Sequence, residues 1–243
     1  MLVGETTVDQ LLQRWETERS NGRRDFIQTL GLVPVVTVSA QPGSLGLQLG
    51  KLLAPRLGFQ CLTIEHIEAF ADGSENYSRI ESLLDDQFRL ALPTIVNSIA
   101  LDPSIESDFV RHQCKTILCL AELGGVVLID WAANYVLGPD CGLHIRVHAP
   151  NPVRTQNAMK ESGLPLKEAR KLLREMNNDG TAYLLKVLRN DVYDETQYDI
   201  LLNTGHMDIE DLVDIALAAA RAKAASMKRR RVLCLSPKGA ISD

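Results

Sequence analysis

Apolar positions recur along this chain in two rhythms. Short, nearly continuous β-branched and aliphatic runs at residues 33–38, 60–64, 126–129, 143–147 and 200–202 predict strands buried on both faces. Between them the spacing lengthens to that of a helix. Val8, Leu11, Leu12 and Trp15 predict an amphipathic helix near the start, before the turn at Asn21-Gly22. Leu45, Leu49, Leu52, Leu53 and Leu57 predict another, which Pro55 should kink or shorten. Tyr77, Ile80, Leu84 and Phe88, then Ile105, Phe109, Ile117 and Leu120, mark the apolar faces of two long helical segments over 76–101 and 104–123. Residues 151–190 are polar and helical in pattern, broken at Gly163-Leu164-Pro165, and an alanine-rich helix is expected from Asp208 to about Met227.

Strands that alternate with helices predict an α/β fold, a mostly parallel sheet covered by helices on both faces. The expected organisation is an N-terminal helical extension over 1–30, a core over 31–227 with a helical lid insertion at about 151–190, and a basic tail over 228–243.

Composition narrows this picture. With 45% hydrophobic and 23% charged residues in 243, the chain can bury a sizeable core, which excludes a disordered or fibrous class. A net charge of −5 gives no general attraction to nucleic acid or to an anionic membrane. Only Lys228-Arg229-Arg230-Arg231 is basic, which fits a solvated, cationic helix end. Five cysteines without a Cys-x-x-Cys pair suggest neither a disulfide framework nor a zinc cage, and a reducing, cytoplasmic compartment is expected. The longest apolar stretch, 116–129, is interrupted by Glu122 and Gly124-Gly125 and is too short to cross a bilayer. Charges scattered through the first thirty residues argue against a secretory leader.

Candidate chemistry begins where the first strand ends. The loop Ser39-Ala40-Gln41-Pro42-Gly43-Ser44 leads into a helix. It reads either as a phosphate cradle, with backbone N–H groups and the helix N-terminus facing an anion, or as a plain strand-to-helix turn. Asp130 closes the middle strand and reads either as a carboxylate beside Mg²⁺ or as the cap of the helix that follows. His144 and His148 lack a third ligand and read as structural, and Glu65 and His66 as helix-start residues.

The order of these parts resembles the cytidylate-kinase-like branch of the nucleoside monophosphate kinases. The residues that carry the resemblance are Val35-Val36-Thr37-Val38-Ser39 with Gln41 and Gly43-Ser44, then Gly124-Gly125-Val126-Val127 and Ala133-Asn134-Tyr135-Val136-Leu137-Gly138. Further on are His144-Ile145-Arg146-Val147, Ala149-Pro150, Val153-Arg154, Ala182-Tyr183 and Tyr198-Asp199-Ile200-Leu201-Leu202-Asn203-Thr204-Gly205. The resemblance implies a P-loop kinase fold, ATP with magnesium, and a nucleoside monophosphate acceptor of the pyrimidine class. It places Ser39, Gln41, Gly43, Ser44 and Gly46 on the nucleotide, Ser44 and Asp130 near Mg²⁺, and Arg154 on a transferred phosphate, with Arg154 and Asp130 as the catalytic pair.

The chain departs from that family at its cations. Ala40 and Leu47 stand in place of loop arginines, Leu45 in place of a glycine, and Gly46 where a Walker lysine would be. Lys51 lies about five residues beyond Gly46, ~7 Å further along the helix, so it cannot take the lysine's role. Asp130-Trp131-Ala132-Ala133 replaces Gly-Arg-Gly-Ala, Thr63 replaces an acceptor-side aspartate, and 177–183 lacks both lid arginines. Arg154 remains, with Arg146, and with Arg170 and Arg174 four apart on one helical face. Phosphoryl transfer depends on neutralising charge, so the expectation is a degenerate, regulatory or non-catalytic nucleotide-binding relative with a possible protein partner. The alternative is an active ATP-dependent CMP-type kinase.

Overall fold

The computed structural model describes residues 8–19, 31–72, 74–99, 108–129, 133–183 and 194–230. An N-terminal helix α1 (Val8–Arg19) precedes β1 (Val35–Ala40), the loop, and α2 (Gly46–Leu57). β2 (Gln60–Thr63) leads into α3 (Ile64–Asp72), α4 (Ser74–Ser82), α5 (Asp86–Ile99) and α6 (Asp108–Leu123). Then come β3 (Val126–Ile129), the short α7 (Ala133–Leu137), and β4 (Leu143–His148). The hairpin of α8 (Asn151–Ser162) and α9 (Leu166–Tyr183) follows, and a 3-10 turn (Glu195–Gln197), β5 (Ile200–Asn203) and α10 (Ile209–Arg230) complete the fold.

The five strands lie in the order β2-β3-β1-β4-β5 and every pairing is parallel. β1 is therefore central, with Val38 beside Ile129 of β3 and Ile145 of β4. Successive side chains of a strand point to opposite faces, which accounts for the two cores. Val36, Val38, Val127, Ile145 and Val147 pack with Leu49 and Leu53 of α2 and with Val213 and Ala216 of α10. Val35, Leu62, Val126 and Leu128 pack on the other face with residues of α3 to α7, and α1 joins them through Leu11, Leu12 and Trp15.

Several elements differ in detail from the sequence reading. Pro55 lies within the last turn of α2, which ends three residues later at Gly58, a glycine at φ 71 that lets Phe59 N–H close on Ala54 O at 2.8 Å. The segment expected over 76–101 is two helices, because Asp85 caps the second one through the amide of Phe88 at 2.7 Å. The last helix continues to Arg230, so Lys228 and Arg229 are helical rather than part of a separate tail. Asp130 and Trp131 lie outside the described residues, as do 20–30 of the expected N-terminal extension and 231–243 of the expected tail.

Candidate phosphate-binding site

The loop after β1 is held by backbone geometry and by its neighbours. Gln41 N–H donates to Val147 O at 2.9 Å, and Ser44 N–H returns to Gln41 O at 2.9 Å. Gly43 at φ 77 and Leu45 at φ 64 both take the left-handed conformation, natural for glycine and strained for leucine. Gly46 opens α2 against Ala40, where an added Cβ would collide with the Ala40 methyl group.

Two of the loop's expected ligand residues are turned to other uses. Ser44 is wholly buried, and its hydroxyl lies between two carbonyl acceptors, Gln41 O at 2.6 Å and Val147 O at 3.2 Å. Its backbone carbonyl accepts from Thr204 Oγ1 at 3.0 Å. An oxygen enclosed among carbonyls does not fit a Mg²⁺ ligand, and no group of three or more His, Cys, Asp or Glu side chains able to hold a metal occurs among the described residues. Ser39, at the end of β1, faces the interior and accepts from Arg146 Nη1 at 2.7 Å. Lys51 is an exposed residue of α2, one and a half turns beyond its start, as its position in the sequence implied.

The lid hairpin lies directly on this loop. Arg154 in the first turn of α8 is 5% exposed, its Nε donates to Pro42 O at 2.8 Å, and its Nη1 reaches Asn151 Oδ1 at 3.3 Å. Asn157, one turn on, donates from Nδ2 to Gly43 O at 2.9 Å. The fit leaves no room for a side chain at Gly43, whose Cβ would stand 2.6 Å from Arg154 O. Pro150 before α8 leaves the first amides of the helix without a side-chain cap, and Gly163 at φ 69 ends the helix before the Gly163-Leu164-Pro165 break. Ala158, Ala169 and Leu173 form the small apolar seam that folds α9 back on α8.

Between the two lid helices lies a cleft of about 490 Å³, lined by Arg154, Arg170 and Arg174 with Asn151, Thr155 and Asn177 among its other residues. Three of the four arginines singled out in the sequence thus converge on one cavity, and Arg146 lies elsewhere. Arg170 and Arg174 are exposed and make no ion pair among the described residues. A size of this order suits a small ligand, and a guanidinium pair spaced one helical turn apart suits a polyphosphate.

The remaining candidates are structural. His144 is buried between Thr37 Oγ1, 2.8 Å from Nδ1, and Gly138 O, 2.9 Å from Nε2. Burial pushes its pKa below the ordinary histidine value, an effect opposed by the Gly138 carbonyl and Asp199. Thr63 ends β2 with its hydroxyl 2.9 Å from His66 Nδ1 and holds Glu65 below the ordinary carboxylate range by a side-chain hydrogen bond, a helix-start arrangement. Asn157 was not singled out in the sequence, and Thr204 stood only within the segment that carries the resemblance, since a polar residue on a helix or turn gives no signal of a contact more than 100 residues away.

A parallel sheet of order 2-3-1-4-5, with a Gly-Ser loop from its central strand into a helix and a helical lid over that loop, defines a P-loop kinase fold. A family model described as the cytidylate kinase-like family matches residues 35–206, and the chain belongs to that family. It is 24% identical over 194 residues to the cytidylate kinase of Methanopyrus kandleri, spanning 76% of this chain and 92% of that protein. To the cytidylate kinase of Thermococcus kodakarensis it is 25% identical over 185 residues, 76% of this chain and 86% of the relative. Among solved structures, an uncharacterized protein from Eubacterium ventriosum superposes with a TM-score of 0.63 at 18% identity, covering 77% of this chain and 98% of the other. No helix among the described residues is long and apolar enough to cross a membrane.

Proposed function

We propose that this chain is a nucleotide-binding member of the cytidylate kinase-like family that has lost efficient phosphoryl transfer and holds the phosphate tail of ATP through its lid. The observation that carries the reading is the convergence of Arg154, Arg170 and Arg174 on one cleft beside a loop that contains no cation. Charge-assisted contacts from paired guanidinium groups are strong enough to bind phosphate without the loop's own cations. Catalysis asks for more, because the developing charge must be met at the transferring phosphoryl group itself. Ser44, sealed among carbonyls, and Gly46, in the Walker lysine's position, contribute no charge there. A cytoplasmic location and a regulatory role, exerted on a protein partner in the nucleotide-bound state, belong to the same reading.

Two measurements on the full chain test it. Calorimetric titration should show ATP binding that weakens by roughly 10-fold or more in Arg170→Gln/Arg174→Gln, the loss of one or two charge-assisted contacts. A coupled ADP-release assay over the common nucleosides and monophosphates should show no turnover above that of a Ser44→Ala/Arg154→Ala double variant. Robust turnover with a pyrimidine monophosphate would instead establish the active kinase, with its cations relocated to the lid. Binding of ATP that ignores the lid substitutions would overturn the clamp.

A further inference from the structure

Arg146 has an unusual place for a cation. It lies within β4 on the face shared with Thr37 and Ser39 of β1, at 8% exposure, in a strand whose other face is wholly aliphatic. One guanidinium N–H donates to Ser39 Oγ at 2.7 Å, and the guanidinium carbon stands 5.8 Å from the centre of the Tyr198 ring. A guanidinium carries five N–H donors, and no carboxylate pairs with this one among the described residues. Elsewhere in the chain Arg79 and Lys223 find carboxylate partners, although both are more exposed than Arg146. Burying a cation without an anion is costly, and the cost is not repaid by one hydroxyl and one ring.

The groups around it supply protons rather than charge. Ser39 Oγ already accepts from Arg146 and lies 3.4 Å from the Tyr198 hydroxyl, which donates to it, so the serine's own proton is left to give. Tyr135 meets the Tyr198 ring edge-on at 6.5 Å. Burial pushes the Tyr135 phenol up, with Tyr198 adding to the effect, so Tyr135 stays neutral and cannot act as the counter-charge. What results is a buried cluster with a full positive charge and more donors than acceptors, at the residue before the chain turns into the phosphate loop.

We infer that Arg146, with Ser39 and Tyr198, forms a second anion site that takes a phosphate group, separate from the Arg170–Arg174 cleft. Phosphate is the fitting class because the donors left to give, the remaining guanidinium N–H groups of Arg146 on β4 and the Ser39 hydroxyl on β1, form a non-planar set that a tetrahedral oxyanion can satisfy and a planar carboxylate only in part. The site lies on the sheet face opposite α2, and it stands independently of the lid clamp proposed above.

The test uses inorganic phosphate and the full chain. In wild type and in Arg170→Gln/Arg174→Gln alike, phosphate at about ten times its Kd should raise Tm by roughly 3–6 °C. With Arg146→Met added to the lid double variant the rise should vanish, while ligand-free Arg146→Met in the wild-type lid melts at or above wild type because an unpaired buried charge has been removed. Ser39→Ala, a smaller change, should weaken phosphate by about 10-fold and, unlike Arg146→Met, lower the ligand-free Tm, because it leaves the buried guanidinium without its hydroxyl partner. Comparing phosphate with cytidine monophosphate and with cytidine then separates a free ion from an esterified one: tighter binding of the monophosphate than of either part identifies an ester. The inference is overturned if the lid double variant carrying Arg146→Met retains the phosphate shift, if the lid double variant alone loses it, or if ligand-free Arg146→Met melts several degrees lower. ATP binding in Arg146→Met reads the lid clamp separately, so failure of one proposal leaves the other measurable.

Discussion

The phosphate loop and the lid hairpin divide between them what a single motif combines in a full Walker site. The loop keeps the shape: a turn at the end of the central strand, a left-handed Gly43, and a helix that begins at Gly46. The lid keeps the charge, with Arg154, Arg170 and Arg174 around one cleft. The two are joined by short bonds from Arg154 to Pro42 O and from Asn157 to Gly43 O, so the loop's conformation depends on the lid's first helix. The loop's backbone shape therefore persists although its own cations are gone, held by another element packed against it.

The sharpest way to break the comparison is to restore charge to the loop. Gly46→Lys should destabilise the fold by about 3 kcal/mol rather than rescue activity, because the new Cβ meets the Ala40 methyl group across a strand-helix contact. Urea denaturation checks this, and Ala40→Gly in the same chain should recover most of the loss. Gly43→Ala comes next, at about 2 kcal/mol, since φ 77 is unfavourable for alanine and its Cβ would press on Arg154 O. Asn157→Ala should cost about 1 kcal/mol by freeing Gly43 O, and should lower ATP affinity only if the loop's shape matters to binding.

The smallest expected effect concerns pH. His144 has its folded pKa depressed by burial, so the folded state favours the neutral ring. Its contribution is fully present above the unfolded value of about 6.5 and is lost as pH falls from there towards the folded value. Scanning calorimetry between pH 7 and 5 should show Tm falling as pH falls, with this residue contributing to the decline. The decline should flatten in His144→Gln. Asp199, which accepts from His144 N–H, and Lys223, paired with that carboxylate, are the charged groups that bear on the ring.

Much of this was legible in the chain. The runs at 126–129 and 200–202 coincide with strands or fall within one residue of them, and Gly163-Leu164-Pro165 breaks the lid as expected. Arg146 carried a signal as well, a permanent cation inside a buried strand, though nothing in the sequence named its neighbours. Helical spacing placed Arg170 and Arg174 on one face of α9 but could not say that the face looks towards Arg154. The conformation of Leu45 was also hidden, because a leucine is a poor local signal for a left-handed turn and takes one here only where the packed strand and helix impose it.

The sequence by itself determined the alternation of strands and helices, the loop at the end of β1, and the loss of the loop's cations. Those are local properties, written in the spacing of apolar residues and in the identity of single positions. Tertiary structure alone decided that Ser44 is sealed between Gln41 and Val147, that three arginines share a cleft, and that Arg146 meets Ser39 and Tyr198. Ser39 and Arg146 are 107 residues apart in the chain, and only the register between β1 and β4 sets them side by side. Periodicity tells a residue which face to bury, whereas the register of paired strands tells it whom to meet.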